Sequence, residues 1–116
     1  MTNNNDRACR KIAEYFFDQE TLDLVGRVLA LEDDKRVSSV ELELHRGAYG
    51  NISDVEAGVK LTKTFDNQQE FRDYLRKHNL PIQDAYQYCQ NSHAFEYKNK
   101  REQTVHVHFS QPDYKY

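Results

Sequence analysis

The sequence predicts a single α+β domain in which helices pack on one face of an antiparallel sheet of about four strands. Residues 37–65 and 93–109 each contain two segments in which apolar and polar side chains alternate, as they do in half-buried antiparallel strands. Before and between these predicted hairpins, apolar residues recur at helical spacing. A length of 116 residues suits one hydrophobic core, and the 38% of hydrophobic residues can fill it. We therefore predict one domain over residues 1–116, with residues 1–5 and 110–116 as frayed tails.

The N-terminal region predicts one or two helices. Asp6 can cap a first helix. Its apolar stripe contains Ala8, Cys9, Ile12, Ala13 and Phe16. Asp18 begins a second signal, and residues 21–31 fit either a helix or a strand, because Val25 and its neighbour Gly26 are poor helix formers. We favour the helix, since the apolar residues from Leu22 onward also fit a helical stripe.

The first hairpin is the clearest local prediction. Apolar residues alternate with polar ones from position 40 to 44 and again from 55 to 65. Pairing Leu44 with Ala57 places all of these apolar side chains on one face. The same register sets Glu41 opposite Lys60, an opposite-charge pair that contributes roughly 0.2–1 kcal/mol. It also sets His45 opposite Glu56.

A helix is predicted over residues 66–78. Asp66 is the expected N-cap, and Gln69 occupies the position that a capping box requires. The buried stripe contains Phe71, Tyr74 and Leu75. Asn79 suits the left-handed C′ position, and Pro81 ends the helix. Pro81 also begins a predicted short helix that carries Ile82, Ala85, Tyr86 and Cys89.

The second hairpin has two alternative turns. A two-residue turn would mismatch the faces of its two strands. A three-residue loop at 99–101 places Phe95 opposite Val105 and His93 opposite Val107, so that the apolar residues share one side. We favour the three-residue loop.

Composition and charge exclude several classes of protein. No run approaches the roughly 18–20 apolar residues of a membrane helix, and the N-terminus lacks a secretory pattern. Two cysteines, Cys9 and Cys89, are too few for a disulfide scaffold, so both are expected as free thiols, with a buried position as the default. The net charge is −3, and neither sign is concentrated enough to indicate nucleic-acid binding from charge alone. These features predict a cytoplasmic protein that makes no membrane contact.

Histidines are the candidate metal ligands. His106 and His108 lie two residues apart on one predicted strand, so their side chains point the same way. His93 lies on the neighbouring strand, but in the favoured register it faces the same side as Val107 rather than His106. The chain has no HExxH or CxxC motif, and we assign no metal and no cofactor.

Two groups of residues are candidate protein contacts. The connection at residues 47–54 is longer than a usual hairpin loop and should expose Tyr49 and Ile52. Glu41 and Glu43 share the outer face of a strand, where they either discourage aggregation or dock a basic protein.

A third group suggests nucleic acid. Lys98, Lys100 and Arg101 lie at the tip of the second hairpin beside Tyr97, and aromatic side chains among basic ones can stack on bases while neutralising phosphates. Three charges are few, however, and acidic residues flank them.

The chain shows neither a nucleophile elbow nor a phosphate-binding loop. The sequence therefore predicts a small non-enzymatic interaction or regulatory domain that acts by protein–protein contact. An accessory, immunity or inhibitor protein of a microbe is the expected type. A nucleic-acid-binding module that uses residues 97–101 is the second hypothesis, and a histidine-dependent metal enzyme is the third.

Overall fold

A computed structural model describes Lys11 and residues 14–111 of the chain. The elements with described bounds are helices α1 (Gln19–Leu29) and α2 (Gln68–Lys77) and strands β1 (Val37–Arg46), β2 (Ile52–Leu61), β3 (Tyr86–Cys89), β4 (Ser92–Lys98) and β5 (Thr104–Ser110), and residues 14–16 are also helical. Short 3₁₀ segments lie at Ala30–Asp33 and Ala48–Gly50. The predicted α+β class is confirmed.

The strands form one five-stranded mixed sheet in the order β1-β2-β5-β4-β3. Neighbouring strands are antiparallel except β2 and β5, which are parallel. The prediction of about four antiparallel strands therefore omitted β3 and the parallel pair. After β2 the chain forms α2 and then the β3–β4 hairpin. Strand β5 follows and lies between β2 and β4, so it joins the β1–β2 hairpin to the β3–β4 hairpin.

Both helices bury their apolar residues against the same face of this sheet. Alternate side chains of the four longer strands supply one side of the core, including Val40, Val55, Ala57, Val59, Phe95, Val105, Val107 and Phe109. Leu24 and Val28 of α1 and Phe71 and Leu75 of α2 supply the other side. Burial of each large apolar side chain contributes roughly 1.5–3 kcal/mol. The two helices with described bounds therefore share one core with this face of the sheet.

The register of the first hairpin differs from the prediction by two residues. Leu44 pairs with Val55 rather than Ala57, and Glu41 lies opposite Gly58 rather than Lys60. A shift of two keeps each side chain on its predicted face, because the side-chain period of a strand is two. The prediction of which side chains face the core is therefore confirmed, and the prediction of a charge pair between Glu41 and Lys60 is wrong.

The loop between β1 and β2 explains the shift. The backbone N–H of Gly47 donates to the carbonyl of Asn51 at 2.8 Å, so β2 begins at Ile52 and the connection is shorter than residues 47–54. Ile52 is therefore buried in the core, and the prediction that it is exposed was wrong. Tyr49 is fully exposed, at 100%, as predicted, and its φ of 68° is in the left-handed region.

The second hairpin is also shifted by two residues. Phe95 pairs with Val107, and His93 pairs with Phe109, so the favoured three-residue loop was wrong. Lys98 pairs with Thr104, which leaves residues 99–103 in the loop. His93 faces the core, on the side that the sequence predicted.

Helix α2 begins one residue later than predicted. Asn67, not Asp66, is its N-cap, and its side chain accepts a hydrogen bond from the backbone N–H of Glu70 at 2.9 Å. The Glu70 carboxylate in turn accepts from the backbone N–H of Asp66 at 3.0 Å, which is the role expected of Gln69. Asn79 has the predicted left-handed conformation, with φ of 58°.

The short helix predicted from Pro81 is absent. Residues 82–84 form bends and turns, and the chain then enters the edge strand β3. Arg72 on α2 holds this segment by donating to the carbonyls of Ile82 and Ala85 at 2.8 and 3.1 Å. Cys89 is exposed at the end of β3, whereas the sequence favoured a buried position.

Residues 21–29, which the sequence allowed as helix or strand, are helical and belong to α1. The Asp18 carboxylate caps this helix by accepting a hydrogen bond from the backbone N–H of Thr21 at 2.9 Å. The apolar stripe predicted at positions 8, 9, 12 and 13 lies outside the described residues. Phe16 from that stripe is exposed, and its neighbour Phe17 is buried instead.

Candidate functional site

The candidate site is the face of the sheet that the helices leave uncovered, which we call the open face. Side chains that alternate with the buried ones form it. On β1 and β2 they are Glu41, Glu43, His45, Asp54, Glu56, Gly58 and Lys60. On β5 and β4 they are Thr104, His106, His108, Ala94, Glu96 and Lys98, and on β3 they are Tyr86 and Tyr88. No described helix packs on these residues.

Glu56 bridges two histidines at the centre of the open face. Its Oε2 lies 3.1 Å from Nε2 of His45, and its Oε1 lies 3.5 Å from Nε2 of His108. His45 reaches Glu56 diagonally, because its direct cross-strand partner is Asp54. The predicted contact between His45 and Glu56 is therefore present, although the two residues are not directly opposite each other.

Two tyrosines extend this cluster toward the sheet edge at β3. The hydroxyl of Tyr86 lies 3.4 Å from Nε2 of His106, and the ring of Tyr88 stacks on that of His108 with centroids 6.4 Å apart. Burial raises the pKa of Tyr86, and the negative charge of Glu96 adds to this effect. Tyr88 is 61% exposed, so most of its ring is available for contact.

A shallow cavity of about 350 Å³ lies over Gly58. Its lining consists of Glu41, Leu42, Glu43, Glu56, Gly58 and His108. Gly58 has no side chain to occupy this space, and a Cβ at this position would contact Cε1 of His108 at 3.4 Å. We call this cavity the Gly58 notch.

Electrostatically, the open face is acidic. Glu41, Glu43 and Glu56 surround the notch, and Glu43 lies directly opposite Glu56 in the β1–β2 ladder. Lys60 follows Gly58 on this face of β2 and Lys98 lies at the other end of the face, so acidic side chains outnumber basic ones around the notch. Neither Glu41 nor Glu43 forms an ion pair with any described residue.

The candidate metal ligands do not converge. His106 and His108 share the open face with ring centroids 5.9 Å apart, whereas His93 is buried on the opposite face and stacks on Phe71. In the part of the chain that the structure describes, no group of three or more His, Cys, Asp or Glu side chains is placed to hold a metal ion.

The basic candidates Lys98, Lys100 and Arg101 are all exposed around the β4–β5 loop. Their companion Tyr97 is half-buried on the core side, where burial and the neighbouring Glu20 raise its pKa to about 12. Asp18 lies close enough to Arg101 for their charges to interact, although its hydrogen bonds to Thr21 are the main reason for its lowered pKa. Tyr97 is therefore poorly placed to stack on a base beside these charges.

A second polar cluster lies between α2 and the entry to β1. Nε2 of His78 lies 3.2 Å from Oδ2 of Asp34, and Arg36 pairs with Glu70 at 3.3 Å while covering the Phe65 ring. Burial alone would raise the pKa of Asp34, but hydrogen bonds from the Arg36 backbone and His78 lower it. These groups hold one another and join α2 to the sheet, which indicates a structural role.

Sequence reasoning identified Glu41 and Glu43 but missed the part played by Tyr86, Tyr88 and Gly58. The alternation of Tyr86 and Tyr88 about Gln87 was the signal of a strand, but the helical spacing that starts at Pro81 concealed it. The isolated Gly58 within an alternating segment was a signal of close approach by a neighbouring group, which in the structure is the His108 ring of β5.

Comparison of the chain with protein-family models, with curated proteins and with solved structures found no match. Among the described residues, no helix is long and apolar enough to cross a membrane. Any functional assignment therefore depends on the geometry of the site itself.

Proposed function

We propose that this protein is a non-catalytic, regulatory-type domain that binds another protein through its open face. The observation that carries the proposal is the placement of three carboxylates and two exposed tyrosines on a sheet surface that no described helix covers. The carboxylates are Glu41, Glu43 and Glu56, and the tyrosines are Tyr86 and Tyr88.

The composition of this face suits a protein contact. Tyrosine provides a large contact area and a hydroxyl at little cost in side-chain entropy, and it is enriched where binding energy concentrates. Tyr86 and Tyr88 are already oriented by His106 and His108, so less ordering is required when a partner binds. The surrounding charges provide the polar rim that such interfaces have.

The shape of the face supports binding over catalysis. Small-molecule and catalytic sites are concave and mostly apolar, and they enclose most of their ligand. The Gly58 notch is shallow, is lined mainly by charged groups, and lies on an extended sheet surface. This shape suits contact with another macromolecule.

The acidic face also disfavours nucleic acid as the partner. Phosphates would meet Glu41, Glu43 and Glu56, while the basic residues of the β4–β5 loop have an acidic neighbour in Asp18. The nucleic-acid hypothesis consequently has less support than protein binding.

The test is affinity capture from a lysate of the native host, with partners identified by mass spectrometry. The bait is compared with a Glu41→Lys/Glu43→Lys variant, and a Lys100→Glu/Arg101→Glu variant is the control, with a change in charge of equal size and opposite sign elsewhere. We expect a partner that the first variant loses and the control retains. Loss with the control alone would contradict the proposal and favour the second hairpin.

A further inference from the structure

We propose that the Gly58 notch binds an arginine side chain of the partner, so that the partner contributes an arginine-bearing, basic segment to the open face. This inference rests on the proposed function and names the chemistry of the partner. Three independent features of the notch support it.

The first feature is its uncompensated charge. Glu43 stands directly opposite Glu56, and like charges at directly opposed strand positions destabilise a sheet. The bridge from Glu56 to His45 and His108 does not reach Glu41 or Glu43, which have no ion-pair partner among the described residues. A partner cation placed between these carboxylates would remove the repulsion. The face is therefore electrostatically complementary to a basic segment.

The second feature is the glycine itself. Gly58 does not have a positive φ, so its backbone conformation would accept any residue. Glycine weakens the interior of a strand because it loses much conformational entropy and packs no side chain. A Cβ here would make ordinary van der Waals contact with His108, so the fold tolerates a larger residue. Gly58 thus leaves an open space on the strand that the His108 ring borders and that a ligand can enter.

The third feature favours arginine over lysine. The carboxylates of Glu41, Glu43 and Glu56 line one side of the notch, and a planar guanidinium can donate two parallel hydrogen bonds to a carboxylate. The ring of His108 lines the other side, with Tyr88 stacked on it, and guanidinium groups stack well on such flat rings. An ammonium group would use the charge but not the planar surface.

The experiment is an NMR titration of the ¹⁵N-labelled protein with a short peptide that contains one central arginine. Parallel titrations use the same peptide with the arginine replaced by lysine or by citrulline, which is neutral and similar in shape to arginine. We expect the arginine peptide to shift the amide signals of Glu41, Glu43 and Gly58, with an affinity at least about threefold above that of the lysine peptide. Equal shifts with the citrulline peptide, or stronger binding of the lysine peptide, would overturn the inference.

Gly58→Ala adds a methyl group to the floor of the notch, beside His108, and is the decisive variant. It should fold, with an unchanged or higher melting temperature, and should lose about fivefold or more in affinity for the arginine peptide. The matched control is Gly47→Ala, whose new Cβ would also lie 3.4 Å from a neighbour, the Cβ of Ser53, but outside the notch. Unchanged affinity in folded Gly58→Ala would refute the site. Glu43→Gln is a second variant that decides the question if Gly58→Ala does not fold.

This titration separates the two proposals. A captured partner that needs Glu41 and Glu43 but binds Gly58→Ala with full affinity would support the open face and overturn the arginine site. Binding of the arginine peptide in the notch supports the inference by itself, because it is measured without the native partner.

Discussion

The side chain of Asn99 donates a hydrogen bond to Oγ1 of Thr21, 3.0 Å away and 78 residues earlier in the chain. Both residues are buried. Oδ1 of the same side chain accepts hydrogen bonds from the backbone N–H groups of Arg101 and Gln103 at 2.9 and 3.0 Å. One amide therefore shapes the β4–β5 loop and joins it to the first turn of α1.

This arrangement predicts a large effect of a small substitution. Asn99→Ala leaves two backbone donors and the Thr21 hydroxyl without this partner, so we expect a loss of about 2–3 kcal/mol in the free energy of unfolding. Urea unfolding monitored by circular dichroism measures it. The adjacent, exposed Lys100→Ala is the control and should change the stability by less than about 0.5 kcal/mol. Similar values for the two variants would show that the Asn99 network does not form in solution.

The N-cap of α2 provides a second prediction, because the sequence favoured Asp66 at this position and the structure shows Asn67 there. Asn67→Ala removes the acceptor for the Glu70 backbone N–H and should cost about 1 kcal/mol. Asp66→Ala should have little effect, since Asp66 contributes its backbone N–H rather than its side chain. Thermal or urea unfolding of both variants tests this order, and a larger loss for Asp66→Ala would place the helix start one residue earlier.

His93 predicts a pH dependence of stability. Its ring is buried between Phe65 and Phe71, no described residue bonds to its Nδ1, and burial lowers its pKa. The unfolded chain then binds a proton near pH 6.5 while the folded chain does not. The contribution of neutral His93 to the free energy of unfolding is fully present above about pH 6.5. It falls as the pH is lowered from there toward the pKa of His93 in the folded chain, by up to about 1.4 kcal/mol per pH unit.

The matched variant is His93→Phe, which keeps a flat ring and cannot be protonated. Between pH 7.5 and pH 5, wild type should lose more stability than this variant. Urea unfolding at both pH values gives the comparison, and identical pH profiles would show that His93 is not buried in its neutral form.

Tyr49 remains a predicted contact residue outside the open face. Its side chain is fully exposed and no core residue packs on it, so Tyr49→Ala should change the stability by less than about 0.5 kcal/mol. If the loop joins the interface, the same variant should weaken partner binding by more than about 1 kcal/mol. A melting curve and a binding titration on one preparation decide this. Unchanged binding by a folded variant would confine the interface to the open face.

The sequence predicted which face of the sheet a side chain occupies better than it predicted which residue lies opposite it, and the reason is physical. Alternation tells which side of a strand Leu42 or Val107 occupies, because exposing either costs hydrophobic free energy. It does not distinguish registers that differ by two residues, since every apolar side chain keeps its face. The loop at Gly47 and the buried Asn99 set those registers, and their hydrogen bonds leave no periodic signal.

The candidate site was predictable only in part. Glu41 and Glu43 could be placed on an outer face from the pattern of β1 alone. Their proximity to His108 depends on the parallel pairing of β2 with β5, which joins segments about 50 residues apart and cannot be inferred from local periodicity. Every residue of β3 is exposed, so no buried apolar residue supported the strand signal of Tyr86 and Tyr88 against the helical spacing from Pro81.

The position of β5 in the middle of the sheet has a consequence for synthesis on the ribosome. The β1–β2 hairpin emerges early, but the edge of β2 that pairs with β5 stays open until the end of the described chain has been translated. During that interval the nascent chain exposes unpaired backbone groups beside an apolar strand, and such edges recruit other strands into aggregates. Overexpression should therefore yield more soluble protein when translation is slowed or when chaperones that bind nascent chains are abundant.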